Sequence, residues 1–420
     1  MLDLRRIREE PDAVRAALAR RDPALAGAVD RVLELDGRRR ALLPEVEGLR
    51  ARKNDAGQAI GRARQAGEDA AEAIAAMREV GEREKALGDE LDRVEAALQP
   101  ALAALPNVPD PSAADADAVV REVGPARVAT EGARDHLDLA GERIDMERAA
   151  KVSGTRFAYL RGELVFLELA LVRWALEKLR GHGFEAVIPP VLVREGALRG
   201  TGFLPDTEQQ IYRLADDPLF LIGTSEVALA SLHADEVLDG DALPRRYAGF
   251  SPCFRREAGA AGRDTRGLFR VHQFDKVEMF SFVAPAASGD EHERILAIEE
   301  EVLGDLELPY RVVNIAVDDL GPSAAKKYDC EAWIPSQGRY RELTSCSNTT
   351  DFQARRLKVR ARDERGRPRE VHTLNGTAVA VGRTILALLE NGQREDGGVA
   401  LPAVLAPYGA PSELAPPPAS

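Results

Sequence analysis

The residues best equipped for chemistry sit in one block, FSPCFRREAGAAGRDTRGLFRVHQFDKVEMF, over 250–280. Two strand-like runs flank a loop that holds Gly259, Gly262 and Gly267 together with Arg263 and Arg266. Strand alternation puts Cys253, Arg255 and Glu257 on one face of the first run. On the second run it groups Arg270, His272, Phe274, Lys276, Glu278 and Phe280. Charged groups in that number are costly in a core unless each is paired. A merely exposed hairpin is the plain alternative. A polyanion carrying a flat ring satisfies the pattern better: arginines meet phosphates, Phe274 stacks on the ring, and a carboxylate takes an amine.

Three shorter stretches could complete such a site. GTAVAVGRTILALLENGQ, from Gly376, opens a helix with Arg383 on its polar side, which alone is ordinary for a solvated helix. Glu342, Leu343, Thr344 and Ser345 lie in YRELTSCSN, where a carboxylate and hydroxyls could hold Mg²⁺ bridged to phosphate oxygens. Strict alternation sets Glu342 and Ser345 on opposite faces, so shared ligation requires the strand to end or turn between them. Thr224, Ser225 and Glu226 follow the apolar run LFLIG. No lysine follows a glycine anywhere, so the G-x-x-x-x-G-K-[ST] phosphate loop is missing. H-E-x-x-H and G-x-S-x-G are absent as well, and the six histidines show no metal-ligand spacing.

These residues need a frame, and the pattern supplies two kinds. Residues 1–105 are almost free of strand signals. Val32, Leu35, Arg39, Leu42, Val46, Leu49, Lys53, Ala56, Ile60 and Ala63 are spaced by alternating threes and fours, a heptad seam. A break near Gly67 precedes a second run through Ile74, Met77, Val80, Leu87, Leu91, Val94 and Leu98. Two long helices folded into an antiparallel hairpin are expected, bent locally at Pro44. Residues 38–66 carry eight basic and three acidic side chains, a balance of +5, whereas residues 68–95 carry four and ten, a balance of −6. Either the acidic arm neutralises the basic one, or the basic arm meets a phosphate backbone.

Residues 106–125 read as a linker, and from 126 strand patterns mix with amphipathic helices. The apolar segment 163–180 is a helix stopped by Gly181 and Gly183. The expected class is therefore α+β, a mainly antiparallel sheet flanked by helices over 126–410 behind a helical unit over 1–105, with 411–420 as a disordered tail. At 420 residues two domains are expected. A net charge of −13 argues against an overall nucleic-acid trap, though not against a local basic face. Cys253, Cys330 and Cys346 are odd in number and far apart, which favours neither disulfides nor zinc and fits a reducing cytoplasm. No signal peptide or membrane span is legible.

FRREAGAAGRDTRGLFRVHQFDKVEMF resembles motif 2 of the class II aminoacyl-tRNA synthetases, in the form seen in the seryl enzymes. LRGHGFEAVIPPVLV resembles motif 1, and TLNGTAVAVGRTILALLENGQ resembles motif 3. GTSEV, YRELTSCSN and FQARR are further seryl signatures, and the helical hairpin, with LRARKNDAGQAIG near its tip, is similar to that family's tRNA-binding arm. The resemblance spans nearly the whole chain. It implies a cytoplasmic, homodimeric enzyme that uses ATP and Mg²⁺ to make seryl-adenylate and passes serine to tRNA(Ser), and to tRNA(Sec) where one exists. It implies an ATP site of Arg255, Arg256, Glu257, Arg270, Phe274, Glu342, Leu343, Thr344, Ser345 and Arg383. Arg255 would hold the α-phosphate and the serine carboxylate, Glu257 would lie near the adenine amine, and Phe274 would stack on the adenine. Arg270 and Arg383 would hold the outer phosphates, and Glu342 and Ser345 the Mg²⁺. Thr224, Ser225, Glu226, Arg255, Glu278 and Thr377 would form the serine pocket, Glu278 taking the ammonium group. Arg255, Glu278 and Arg383 would carry the catalysis, with no protein nucleophile. Arg38, Arg50, Arg52, Lys53, Arg62 and Arg64 would contact the tRNA, and helix 163–180 would form the dimer interface. The competing expectation is a seryl-synthetase-like paralogue, catalytically inactive or directed to carrier proteins.

Overall fold

The computed structural model describes residues 1–67, 69–124, 132–205, 209–258 and 264–418. The chain divides into two compact units, Met1–Val108 and Pro109–Ser420.

The first unit is helical: α1 (Leu4–Glu9), α2 (Pro11–Ala19), α3 (Leu25–Ala66) and α4 (Ala71–Ala104). α3 and α4 pack on each other along the expected seam, with Val32, Leu35, Leu42, Val46, Leu49 and Ile60 of α3 buried. Leu42, Val46 and Leu91 form one cluster with Leu43, Leu87 and Val94 against it. Gly67 ends α3 at φ +73°, the left-handed cap that glycine adopts without a Cβ clash. α3 runs through Pro44 as one continuous helix. A proline there costs about 3 kcal/mol, comparable with burying one or two side chains such as Leu42 and Val46 at roughly 1.5–3 kcal/mol each. The seam thins toward the turn: the buried residues of α4 are Leu91, Leu98 and Leu102, all far from it, and Ile74 is exposed.

The second unit is built on eight strands: β1 (Ala118–Val123), β2 (Glu185–Val187), β3 (Arg245–Phe254), β4 (Gln273–Val283), β5 (Tyr310–Asn314), β6 (Lys326–Ile334), β7 (Arg339–Thr350) and β8 (His372–Ala380). Their order in the sheet is β1-β5-β6-β7-β8-β4-β3-β2. Every pairing is antiparallel except β2 with β3. The back face carries Val277, Met279, Cys330, Cys346 and Ala378. Those side chains share one core with residues of α5 (Glu163–Gly181), α7 (Ser288–Asp305) and α9 (Val381–Asn391). On the front, Phe280 and Phe282 join Leu229 and Ala230 of α6 (Glu226–Ser231) and Leu357 of α8 (Phe352–Leu357). Phe280 thus shares its face with Glu278, as alternation requires, but it lies where that face has become core.

Three boundaries differ from expectation. The segment read as a linker over 106–125 contributes β1, whose six residues are all exposed, so an edge strand leaves no inside–outside alternation to read. The tail expected to be disordered pairs Glu413 and Leu414 with Val399 and Ala400, and Leu414 is buried. The strand expected from Arg270 starts at Gln273, so Arg270 and His272 lie in the irregular approach to it.

Candidate active site

The front of the sheet holds a cavity of about 510 Å³, and most of the chemistry-bearing residues line it. β3 delivers Arg255 and Glu257 just past its end, and β4 projects Phe274, Lys276 and Glu278 on alternate positions. Thr377 comes from β8, Arg383 from the first turn of α9, and Thr224 and Glu226 from the entry to α6.

β7 solves the parity problem by a bulge. Cys330 of β6 faces Thr344 while Glu331 faces Glu342, so Leu343 is the extra residue. A one-residue insertion reverses the alternation, and Glu342 and Ser345 therefore line the cavity together with Ser347. Thr344 is turned to the back face, where its hydroxyl donates to Glu299 at 3.2 Å.

The arginines are tied down. The Arg255 Nε donates to the Gly223 carbonyl at 3.1 Å, and its guanidinium lies 5.2 Å from the Phe274 ring centre. Arg270 donates to the Glu257 carboxylate at 2.6 Å. Arg383 donates to the carbonyls of Phe269 and Glu342 at 3.2 and 3.0 Å, and its Nη1 is 3.5 Å from the Glu342 carboxylate. Phe269 is held between two guanidinium groups, Arg341 at 3.6 Å and Arg383 at 4.4 Å from its ring centre. His272 stands behind this row: its Nδ1 meets the Arg255 carbonyl at 2.9 Å, so it braces the backbone.

Two carboxylates occupy the deep end. Lys276 is buried, forms an ion pair with Glu278 and donates to the Thr224 hydroxyl at 2.7 Å. Glu226 is also buried, and among the described residues its carboxylate accepts only from a neutral amide, Gln353 Nε2, at 2.7 Å. Burial, helped by the charge of Glu278, pushes the Glu226 carboxyl up to about 7. Burial also raises Glu278, against the pull of Lys276. Toward the bulge the balance reverses. Desolvation works to raise Glu342, yet Arg383, Lys327 and Arg255 outweigh it and hold that carboxyl below its ordinary range.

Most residues singled out from sequence are brought together here; Ser225, Arg256 and Thr344 are not among those lining the cavity. Ser225 is fully buried, the Arg256 amide is bonded to the Gln210 carbonyl, and Thr344 faces backward. Gly259, Gly262 and Arg263 lie outside the described residues. Sequence reasoning placed Lys276 on the right face without a role, and it missed Lys327, Asn375 and Phe269. Lys327 could have been found by extending the β6 alternation back from Asp329, with which it pairs at 2.9 Å.

On the helical arm, the acidic helix neutralises part of the basic one. Arg38 pairs with Glu90 and Arg39 with Glu95, while Arg50 and Lys53 share Glu84 at 3.2 and 3.0 Å. Arg52 reaches only its own helix, at the Gly48 carbonyl. Among the described residues, Arg52, Arg62 and Arg64 make no ion pair.

Comparisons with known proteins bear on the family and the fold. The family described as "Seryl-tRNA synthetase N-terminal domain" matches residues 1–109, and "tRNA synthetase class II core domain (G, H, P, S and T)" matches residues 211–392. A serine–tRNA ligase of Streptomyces coelicolor is 51% identical over 417 residues, covering 97% of each chain. The seryl-tRNA synthetase of Pyrococcus horikoshii, solved with ATP, superposes with a TM-score of 0.93 at 44% identity, covering 99% of this chain and all of that one. The cytoplasmic serine–tRNA ligase of Naegleria fowleri, solved with AMP, gives a TM-score of 0.88 at 29% identity, covering 99% and 98%.

Proposed function

Because the chain belongs to the seryl-tRNA synthetases, we propose that its cavity joins serine to ATP and then hands the seryl group to tRNA. The carrying observation is the pairing of a phosphate-type end, Arg255, Arg383, Glu342 and Ser345, with a zwitterion-type end, Glu226, Glu278, Lys276 and Thr377, in one cavity. A carrier-directed relative without the arm is not favoured, since α3 and α4 build it in full.

In the first step the serine carboxylate oxygen attacks the α-phosphorus, and the bond to pyrophosphate breaks in line. Arg255 lies between the two ends and takes the carboxylate and the α-phosphate, while Arg383 meets the outer phosphates. The open face of Phe274 receives the adenine. Glu257 stays beside the ring through its bond to Arg270. In the second step a terminal ribose hydroxyl of tRNA attacks the adenylate carbonyl and AMP leaves. No side-chain nucleophile is needed, and positioning supplies most of the rate.

The family implies Mg²⁺, and the residues fit it. The bulge points a carboxylate and a hydroxyl the same way, and the neighbouring cations keep Glu342 ionised. Glu342 and Ser345 would hold the ion, whose bound form screens phosphate charge and polarises the phosphorus. Among the described residues no group of three or more Asp, Glu, His or Cys is placed to hold a metal, so phosphates and water would supply its remaining ligands.

The ammonium group is better assigned to Glu226 than to Glu278. Lys276 already neutralises Glu278 in an ion pair, whereas among the described residues Glu226 makes no ion pair and feels Lys276 and Arg255 only at a distance, so the substrate amine completes its charge pairing. Glu278 and Thr377 then remain for the serine hydroxyl. A site that hydrogen-bonds a hydroxyl rejects alanine because its own polar groups would be left unpaired.

On the arm, Arg52, Arg62 and Arg64 are the available phosphate contacts, whereas Arg38, Arg50 and Lys53 first hold the two helices together. A homodimer through α5 is supported by Val165, Phe166 and Leu169, which lie exposed on the side of that helix away from the core. No helix among the described residues is long and apolar enough to cross a membrane. The three cysteines are free and buried, which suits a reducing cytoplasm. The deciding experiment is serine-dependent ATP–pyrophosphate exchange followed by charging of total tRNA. Exchange with serine and not with alanine or threonine is expected; absence of exchange with serine would overturn the reading.

A further inference from the structure

Behind the site, on the far side of the sheet, a carboxyl group lies where packing alone calls for an apolar side chain. Glu299 is fully buried on α7, whose neighbouring residues Ile295, Ile298 and Val302 belong to the back-face core. Its Oε2 accepts from the Thr344 hydroxyl at 3.2 Å and from the Cys330 thiol at 3.7 Å, and its Oε1 has no partner. Gly376 of β8 makes room for it: a Cβ there would lie 2.9 Å from Oε1 and 2.4 Å from Ile295. Gly376 pairs with Cys346 in the sheet. The carboxyl group therefore sits against both β7 and β8, the strands whose opposite faces carry Ser345 and Thr377.

No cation among the described residues pairs with Glu299. Burial raises its acid well above the ordinary range, with Asp329 and Glu278 adding to the effect, which favours the neutral form. A buried polar group with only part of its bonding capacity satisfied costs stability that a methionine or leucine of similar volume would not. Its one strong contact is at a telling place. Thr344 is the residue directly after the bulge, and the bulge is what turns Glu342 and Ser345 to the same face.

We propose that Glu299 is a positioning residue for the nucleotide end of the site: through the Thr344 hydroxyl it fixes, from the back of the sheet, the β7 bulge that aims Glu342 and Ser345 into the cavity. The proposal rests on the reading of that end as the ATP phosphate site. It requires an acceptor at position 299 but no charge, so Glu299→Gln should behave like the parent. Glu299→Met fills the same volume without an acceptor, and Thr344→Val removes the donor with nearly the same shape.

The test is steady-state ATP–pyrophosphate exchange by the full chain, with ATP and serine varied separately, beside thermal melts. Glu299→Gln is expected within about threefold of the parent. Glu299→Met and Thr344→Val are each expected to lose about tenfold in kcat/KM for ATP, the scale of one lost hydrogen bond. Their KM for serine should stay close to the parent's, and Glu299→Met should melt no lower than the parent. The double variant should be no worse than either single one, because both break the same contact. A purely structural role would instead move melting without splitting ATP from serine. Either single variant with parental ATP kinetics, or losses that multiply in the double variant, would overturn the proposal. If Glu299→Met does not fold, Thr344→Val decides alone. Parental protein that shows no exchange would sink the function reading instead, so the two failures are distinct.

Discussion

The Glu226 carboxyl provides a quantitative test, because the same protonation should move substrate binding and protein stability in opposite directions. Its folded-state value of about 7 stands above its ordinary 4.5. A proton and the serine ammonium group compete for one carboxylate, so KM for serine should scale as one plus the ratio of protonated to ionised Glu226. From pH 8 to pH 6 that factor rises about tenfold. Serine itself remains a zwitterion over this range. Stability runs the other way. A group whose folded-state value is raised holds a proton that the unfolded chain gives up, so the substrate-free protein loses stability as pH rises from about 4.5 to 7, by about 3 kcal/mol in all. Glu226→Gln should abolish both slopes. It should raise KM for serine at pH 8 by roughly 30- to 1000-fold, corresponding to about 2–4 kcal/mol for a desolvated charge pair broken on one side. At the same pH it should melt higher than the parent when no serine is present. The assay is exchange at saturating ATP between pH 5.5 and 8, paired with melts in the same buffers. A flat serine KM in the parent, or an unchanged slope in Glu226→Gln, would refute the assignment of the ammonium to Glu226.

Phe274→Ala should raise KM for ATP about tenfold with little change for serine, since one ring stacked on a base contributes about 1–3 kcal/mol; exchange kinetics would show it. Changing Arg52, Arg62 and Arg64 together to serine should leave exchange intact and raise KM for tRNA in charging. The salt dependence of that KM should fall by about two units of logarithmic slope. The matching triple change at Arg38, Arg50 and Lys53 should first lower the melting temperature, because those side chains pair with Glu90 and Glu84. His292 is buried between the Cys346 carbonyl and the Tyr328 ring, and burial lowers it to about 4. The folded state then binds fewer protons than the unfolded chain, so stability present above pH 6.5 should be lost toward pH 4. The loss should reach about 3 kcal/mol, and His292→Gln should remove that part of the acid sensitivity in melts.

How much of this was legible in the sequence depended on whether a feature leaves a local period. The heptad seam did, and Val32, Leu35, Leu42, Val46 and Leu49 are buried as spaced. The face of Phe274, Lys276 and Glu278 did as well, because an eleven-residue strand in unbroken register with β3 preserves alternation. The joint ligation by Glu342 and Ser345 could be stated only as a requirement. A bulge is one residue of mismatch between two strands, and no single strand's pattern records it. β1 was hidden for the opposite reason, since an edge strand exposed on every residue has no pattern to break. Charge segregation on the arm was visible, but which cations were already used was not. That depends on which residue of α4 faces each residue of α3, a matter of register between helices 30 to 60 positions apart in the chain.

The clasp of Phe269 by Arg341 and Arg383 bears on how fast and how tightly a nucleotide can be held. A free arginine gives up about 2 kcal/mol of rotamer entropy when a ligand immobilises it. Arg383 is already restrained by the ring and by two backbone carbonyls, so much of that loss is incurred during folding and not on ligand encounter. Removing the ring with Phe269→Leu would leave every phosphate contact possible. Binding should then show a more unfavourable entropy at similar enthalpy, a distinction calorimetry resolves and a contact map does not.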